Sequence, residues 1–203
     1  MVAFGLSTLP SDPLDLFKAW LALAQEHPHI QYAHATCLST LSPEGFPEGR
    51  IVLLHGFGPD GFVFFTDSRS AKGRALAKTP RAALTFYWGP LERQVRLQGN
   101  VEPATDAVAD LIFQERPRRS KGTAWASSQS AALAAREHLD AQMARLDAEY
   151  GAARPIPRPP YWKAYRIRPL KIEFWQARAR RLHDRVLYTK TGKQGWACSL
   201  LYP

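Results

Sequence analysis

The chain has 203 residues, of which 45% are hydrophobic and 22% charged, enough for one well-formed core and a single domain. Its two cysteines, Cys37 and Cys198, exclude a disulfide framework and a cysteine-built zinc site. The formal net charge of +9 favours an anionic partner: nucleic acid, an acidic membrane surface or a phosphorylated small molecule.

Met1 to Thr8 lacks a basic segment followed by a long apolar one, so no signal peptide is expected. No apolar run approaches membrane-spanning length, and the expectation is a soluble, cytoplasmic protein. Ser11-Asp12-Pro13 reads as a helix start, and Leu14, Phe17, Leu21 and Ala24 at helical spacing predict a helix over about 13–26. Strands are expected at 32–39, 50–55, 62–66, 82–88 and 92–102, separated by Ser42-Pro-Glu-Gly45, Gly58-Pro-Asp-Gly61 and Gly89-Pro90. A short helix beginning at Ser70 would carry Lys72 in its first turn, and Gln94, Arg96 and Gln98 would share one strand face.

Thr105 caps a helix to about Phe113, which the run from Arg116 to Lys121 breaks. The Ala-rich stretch from Ser130 to Tyr150 is helical by propensity, and the four prolines between Gly151 and Pro160 make a stiff connection. Strands resume at 161–168, 171–176, 183–189 and 196–202, with Thr191-Gly192 as the last turn. No internal repeat is present. Many short, antiparallel strands with helices between them predict a barrel or a strongly bent sheet, a mainly β (α+β) fold, rather than a doubly wound parallel sheet.

Three groupings carry anion-binding chemistry. Arg50 with Ser70 and Lys72 joins a bidentate fork to a helix start. Arg116 and Ser120 lie in a Pro-broken basic loop, and Gln129-Ser130 offers small polar donors at a helix start. The stretch Ile172 to Arg185 alternates and then packs arginines beside Trp175; if it stays extended, Arg181, His183 and Arg185 project from one face. Each grouping taken singly also reads as solvated surface charge or a plain cap. No dinucleotide fingerprint, Walker loop, nucleophile elbow or His-Glu-x-x-His occurs, and six histidines lack metal-ligand spacing.

Taken together, Arg50-Ile-Val-Leu-Leu54, Phe65-Thr66, Leu91-Glu-Arg-Gln-Val95, Arg116-Pro117, Ala124-Trp125 through Gln129-Ser130, Glu173-Phe-Trp-Gln176 and Arg181-Leu-His-Asp-Arg185 resemble the pyridoxamine 5'-phosphate oxidase family. They occur in the family's order from about Asp12 to the C-terminus. The resemblance implies a split β-barrel spanning 1–203 as one FMN-binding domain, with a dimerisation segment at about 161–203. It implies a homodimer with two sites at the subunit interface and oxidation of pyridoxamine or pyridoxine 5'-phosphate to pyridoxal 5'-phosphate, with O2 as acceptor and H2O2 as product. By position, Arg50 and Lys72 would hold the FMN phosphate. Ile51, Val52, Leu53, Leu54, Phe65 and Thr66 would line the flavin, and Gln94, Gln129, Ser130, Trp175 and Arg185 would complete its site. Arg116 and Ser120 would grip the substrate phosphate, and Arg181 and His183 would meet the substrate's ring and reactive end.

The sequence departs from the family at His55, usually a Lys on the substrate phosphate, at Ile112, usually a Tyr, and at Ala71, usually an Arg beside Lys72. The family's N-terminal Arg…Tyr arm has no match before Ser11. A protonated His55 could replace the Lys, which predicts better substrate binding below about pH 6.5. These departures keep open an FMN oxidase of the same fold with another substrate, such as a dihydrophenazine-type ring. A nucleic-acid module is disfavoured, because the charges fall in clusters separated by strands rather than in one stripe.

Overall fold

The structure is a computed structural model describing residues 8–192 and 195–203, so the reading of the leader over residues 1–7 lies outside the described residues. Among the described residues the order is α1 (Pro13–Glu26), β1 (Ala35–Leu41), β2 (Pro47–Leu53), β3 (Gly56–Gly58), β4 (Gly61–Asp67), α2 (Ala71–Lys78), β5 (Arg81–Trp88) and β6 (Arg93–Pro103). There follow α3 (Asp106–Glu115), α4 (Arg118–Ala126), α5 (Arg136–Tyr150), β7 (Trp162–Gln176), β8 (Asp184–Thr191) and β9 (Gly195–Leu200). No helix among them is long and apolar enough to cross a membrane.

All strand pairs are antiparallel and run in the order β2-β1-β5-β6-β7-β4-β3. The 15-residue β7 carries the architecture. One edge pairs with β6 along most of its length, while the other pairs with β4 over 162–167 and with β8 over 171–176, and β9 extends β8. The sheet thus divides along β7, as in a split barrel. The division sits at a register shift between Gln98 and Gly99, opposite Pro169. Pro is tolerated in a strand at such an irregularity. A Cβ on Gly99 would lie 2.0 Å from the Arg168 carbonyl oxygen, so only glycine permits this approach.

The core follows strand alternation: Leu38, Phe62, Phe64, Leu84, Phe86, Val95, Ile167, Ile172, Phe174 and Tyr188 are fully buried. Helix α1, started by the Asp12 carboxylate accepting the Leu14 N–H at 2.9 Å, sends Phe17, Trp20, Leu21 and Ala24 into this core. The Phe17 ring meets Phe57, Phe62 and Phe86 edge-on at 4.8–5.2 Å, a geometry that aromatic quadrupoles favour. A smaller cluster of Ala109, Phe113, Trp162 and Ala164 lies under α3.

Four expectations fail locally. The Arg116–Lys121 run does not break into a loop: α4 starts at Arg118, with Pro117 as its N-cap residue, where a missing N–H costs nothing. The Ala-rich helix begins at Arg136 rather than Ser130, and Ser130 has φ +71° in the left-handed region. The two strands expected at 161–168 and 171–176 are one, because Pro169 is absorbed at the irregularity. The chain after Gln176 does not stay extended: Ala179–Arg181 forms a 3-10 turn, with Arg180 at φ 55° and Arg181 at φ 62°. No single strand face therefore presents Arg181, His183 and Arg185.

Candidate active site

The predicted residues assemble into two groups toward opposite ends of β7. The first forms where β4 ends. Ser70, fully buried, caps α2: its hydroxyl donates to the Asp67 carbonyl at 2.6 Å and accepts the Gly73 N–H at 3.2 Å. A Cβ on Gly73 would sit 2.3 Å from the Ser68 carbonyl oxygen, so glycine lets the helix start press against this loop. The result fixes Lys72 in the first turn, where its Nζ donates to Gln129 Oε1 at 2.7 Å. Thr66 donates to the same oxygen at 3.1 Å. Burial, followed by the nearby Arg50 charge, pushes the Lys72 ammonium below its ordinary value, which Asp67 partly offsets.

Arg50 on β2 is held by Thr40 Oγ1 at 2.6 Å and Glu48 Oε2 at 2.7 Å. Along the same strand Ile51 and Leu53 are exposed, at 67% and 51%, whereas Leu54 is buried and Val52 packs on the core. Ile51 and Leu53 are thus the residues of this predicted lining whose side chains stand exposed. Leu53, Leu54 and His55 line a cavity of about 430 Å³ with Gln31, Tyr32 and His34. His55 sets its ring edge-on to Phe65, with centroids 4.6 Å apart. Desolvation of that packed side, then the Arg116 and His34 charges, lower its pKa below 6.5. Protonation of His55 is therefore harder than for a free imidazole, and the expected gain in binding moves to lower pH.

Arg116 closes this end. Phe65 and Trp162 stack at 4.6 Å and 8°, and the Arg116 guanidinium lies 5.1 Å over the Trp162 ring. Its Nη2 reaches the Ser120 carbonyl at 3.4 Å, while its buried Nε has no partner among the described residues. Burial lowers its pKa. Phe65, Thr66, Arg116, Gln129 and Trp162 share a cleft of about 210 Å³. Among the described residues neither Lys72 nor Arg116 has a carboxylate within ion-pair distance. Asp67 also lines the cleft but is clamped by Arg69, so two half-buried cations with no ion pair of their own among the described residues give the cleft the chemistry to take an anion. Ile112, one of the departures, packs beside Phe65 in the small cluster and brings no polar group.

The second group is one rung of the sheet. Gln94 lies opposite Trp175, which lies opposite Arg185, so the three project from one face. Arg185 donates to Glu173 Oε1 at 2.9 Å through Nε, with Nη2 at 2.9 Å from the same oxygen, and Nη1 donates to the Tyr202 carbonyl at 2.9 Å. Arg96 holds the other Glu173 oxygen. Burial alone would raise the Glu173 carboxyl, but the hydrogen bonds from Arg185 and Arg96 outweigh it and keep it lowered. The His183 ring leans on Trp175 with centroids 4.8 Å apart. Arg181 is exposed on the turn, in a backbone conformation costing roughly 1–2 kcal/mol for a non-glycine residue. Along β7, Trp175 is eleven residues beyond Ala164, the partner of Phe65, about 35 Å of strand.

Glu173, Asp67 and Trp162 escaped the sequence reading. Asp67 is clamped by Arg69, with Nη2 at 2.7 Å, and sits close enough to Lys72 to support its charge. The signal for Glu173 was available: a lone acidic residue on the Trp175 face, two positions before it, facing a row of arginines.

Comparison with known proteins agrees over the whole chain. The family model described as pyridoxamine 5'-phosphate oxidase matches residues 24–150. The model for the pyridoxine 5'-phosphate oxidase C-terminal dimerisation region matches residues 162–203. A pyridoxine/pyridoxamine 5'-phosphate oxidase from Thermosynechococcus vestitus is 46% identical over 97% of this chain and 92% of its own. One from Azorhizobium caulinodans is 47% identical over 98% and 93%. Among solved structures, PhzG from Burkholderia lata 383 in complex with tetrahydrophenazine-1-carboxylic acid superposes with TM-score 0.90 at 33% identity, covering 100% of this chain and 98% of that one. A pyridoxamine 5'-phosphate oxidase-related, FMN-binding protein from Nostoc punctiforme, 20% identical over 96% of this chain and 100% of its own, shares the fold at TM-score 0.75.

Proposed function

The chain belongs to the pyridoxamine 5'-phosphate oxidase family, flavin-dependent oxidoreductases, and on that premise we propose that it oxidises pyridoxamine or pyridoxine 5'-phosphate to pyridoxal 5'-phosphate with FMN as cofactor. In the reading we adopt, the alcohol or amine carbon gives up two electrons, O2 takes them, and H2O2 leaves; the amine substrate also consumes water and releases ammonia. The bound flavin supplies the two-electron relay between substrate and O2. The chain's own residues bind, orient and neutralise.

The observation that carries this reading is the cleft lined by Arg116 and Gln129, with Lys72 donating to that Gln129: two half-buried cations, neither in an ion pair among the described residues. The orphaned Arg116 Nε and the Lys72–Gln129–Thr66 triangle suit phosphate oxygens as acceptors. Arg50, Lys72, Thr66, Gln129 and Ser130 are assigned to the flavin nucleotide, Ile51, Leu53 and Phe65 to its apolar lining, and Arg116, Ser120 and His55 to the substrate phosphate. Gln94, Trp175 and Arg185 complete the flavin site from the second subunit of a homodimer, and Arg181 and His183 reach the substrate from there. About 35 Å of β7 separating the two groups supports this division between subunits. The C-terminal region matched to the dimerisation model contains Trp175 and Arg185 of that rung. We read residues 1–203 as one domain that works only in pairs.

Anaerobic addition of pyridoxine 5'-phosphate to the purified yellow protein should bleach its visible flavin absorption, and air should restore it. A colourless protein that takes up no added FMN would reject the reading. A flavoprotein that this compound does not bleach would favour a second reading, oxidation of a dihydro-aromatic ring, which the likeness to PhzG and the loss of polar groups at Ile112 support.

A further inference from the structure

The loop between β7 and β8 carries Arg181 and His183, and its base is closed by a pair to which none of the roles above is assigned. Gln176 and Asp184 are register partners at the end of the β7–β8 ladder. Immediately inside them, Arg178 donates to Asp184 Oδ2 from Nε at 2.7 Å, and its Nη2 lies 2.7 Å from the same oxygen. Both side chains are largely shielded, at 22% and 19% exposure, which favours a held geometry over a screened surface pair. Arg93 approaches from β6, its pKa lowered first by burial and then by the nearby Arg178 charge, and is anchored to Gln176 Oε1 at 2.6 Å. Two guanidinium groups thus face this corner, and Asp184 is the carboxylate that Arg178 engages there.

The same residue acts a second time through its backbone. The Arg178 N–H donates to His183 Nδ1 at 3.2 Å. An amide N–H can only donate, so Nδ1 must present its lone pair and the ring proton sits on Nε2. Between these two contacts the chain turns through two consecutive left-handed residues, Arg180 and Arg181, with the Leu182 N–H donating to the Ala179 carbonyl at 3.3 Å. Such a conformation persists where its surroundings over-determine it.

We propose that Arg178 is a positioning residue: its ion pair with Asp184 shuts the 177–183 loop at its base while its backbone N–H fixes His183 as the Nε2-protonated tautomer, so that Arg181 and His183 are offered in one arrangement. Its bearing on turnover rests on the oxidase reading above; its bearing on the loop does not. The test is Arg178→Ala and Arg178→Lys, with the charge-reversed pair Arg178→Asp/Asp184→Arg. Steady-state kinetics with pyridoxine 5'-phosphate and FMN titration are read beside nitrogen-15 NMR of histidine-labelled protein.

Arg178→Ala should lower kcat/KM about tenfold, as a small misplacement of orienting groups does, with FMN affinity within about twofold of the parent. Its His183 nitrogen shifts should move toward a mixture of tautomers. Arg178→Lys, which keeps the charge and loses the fork, should fall between, and the reversed pair should recover more activity than Arg178→Asp alone. Parental kinetics and parental His183 shifts in Arg178→Ala would overturn the proposal, as would a reversed pair no better than the single change. If the parent protein itself fails to oxidise the vitamin B6 phosphates, the function reading falls, and the NMR comparison still decides the clasp.

Discussion

Positive charge is handled in opposite ways at the two ends of β7. Toward Trp162, Lys72 and Arg116 are half-buried and form no ion pair among the described residues, and the nearby Asp67 carboxylate is clamped by Arg69. Beside Trp175, Glu173 engages Arg96 and Arg185, and Asp184 engages Arg178. The first end holds charge in reserve for a ligand; the second spends it on holding its own side chains still. A basic sequence alone does not distinguish these uses, because cations stand at both ends and the difference lies in which of them the acids engage.

The contrast can be tested from both sides. The largest effect belongs to Lys72→Ala. Removing a charged hydrogen-bond donor to a phosphate should weaken FMN binding by about 10- to 100-fold, on the order of 1.5–3 kcal/mol, in a fluorescence titration, with little change in the melting temperature of the FMN-free protein. Glu173→Gln should do the reverse. It strands Arg185 and Arg96, so thermal unfolding of the FMN-free protein should fall by roughly 4–8 °C, for a loss of about 2 kcal/mol. This is below the usual cost of breaking a buried pair because Arg96 is half-exposed. If both variants changed melting and FMN affinity equally, the division between reserve and scaffold would be wrong.

The smallest effect concerns His55. Its pKa is lowered in the fold, so in mild acid the unfolded chain binds the proton more readily. Its contribution is therefore intact above the unfolded value of about 6.5 and is lost below it, as pH falls through the lowered folded value. His55→Gln should flatten the decline in denaturation midpoint between about pH 7 and pH 5. A decline unchanged by the substitution would remove Arg116 and burial as the cause.

Much of the fold was legible because its signals are local. The Asp12-Pro13 start of α1, the Ser70 cap of α2 and the alternation in β4, β5 and β6 each follow from a few neighbouring residues. What escaped depends on distant partners. Pro169 reads as a strand end until Gly99 is seen to accommodate it from β6. The arginines after Gln176 read as extended until the Arg178–Asp184 pair is seen to hold a turn. In the candidate site, Arg50, Lys72, Arg116, Gln94, Trp175 and Arg185 were named singly through the family resemblance, but that the last three stand on one rung was not read. The orphaned Nε of Arg116 among the described residues, and the lowered pKa of His55, were not, since both are set by residues far away in the chain.

The length of β7 has one more consequence. Because Lys72 and Trp175 serve a flavin from different subunits in the arrangement we propose, a chain damaged at one and a chain damaged at the other are not equivalent to a doubly damaged protein. In a hybrid of the two, both defects fall together in one centre and the other centre inherits only sound parts. Lesions that each silence a homodimer would then complement when the two chains are mixed.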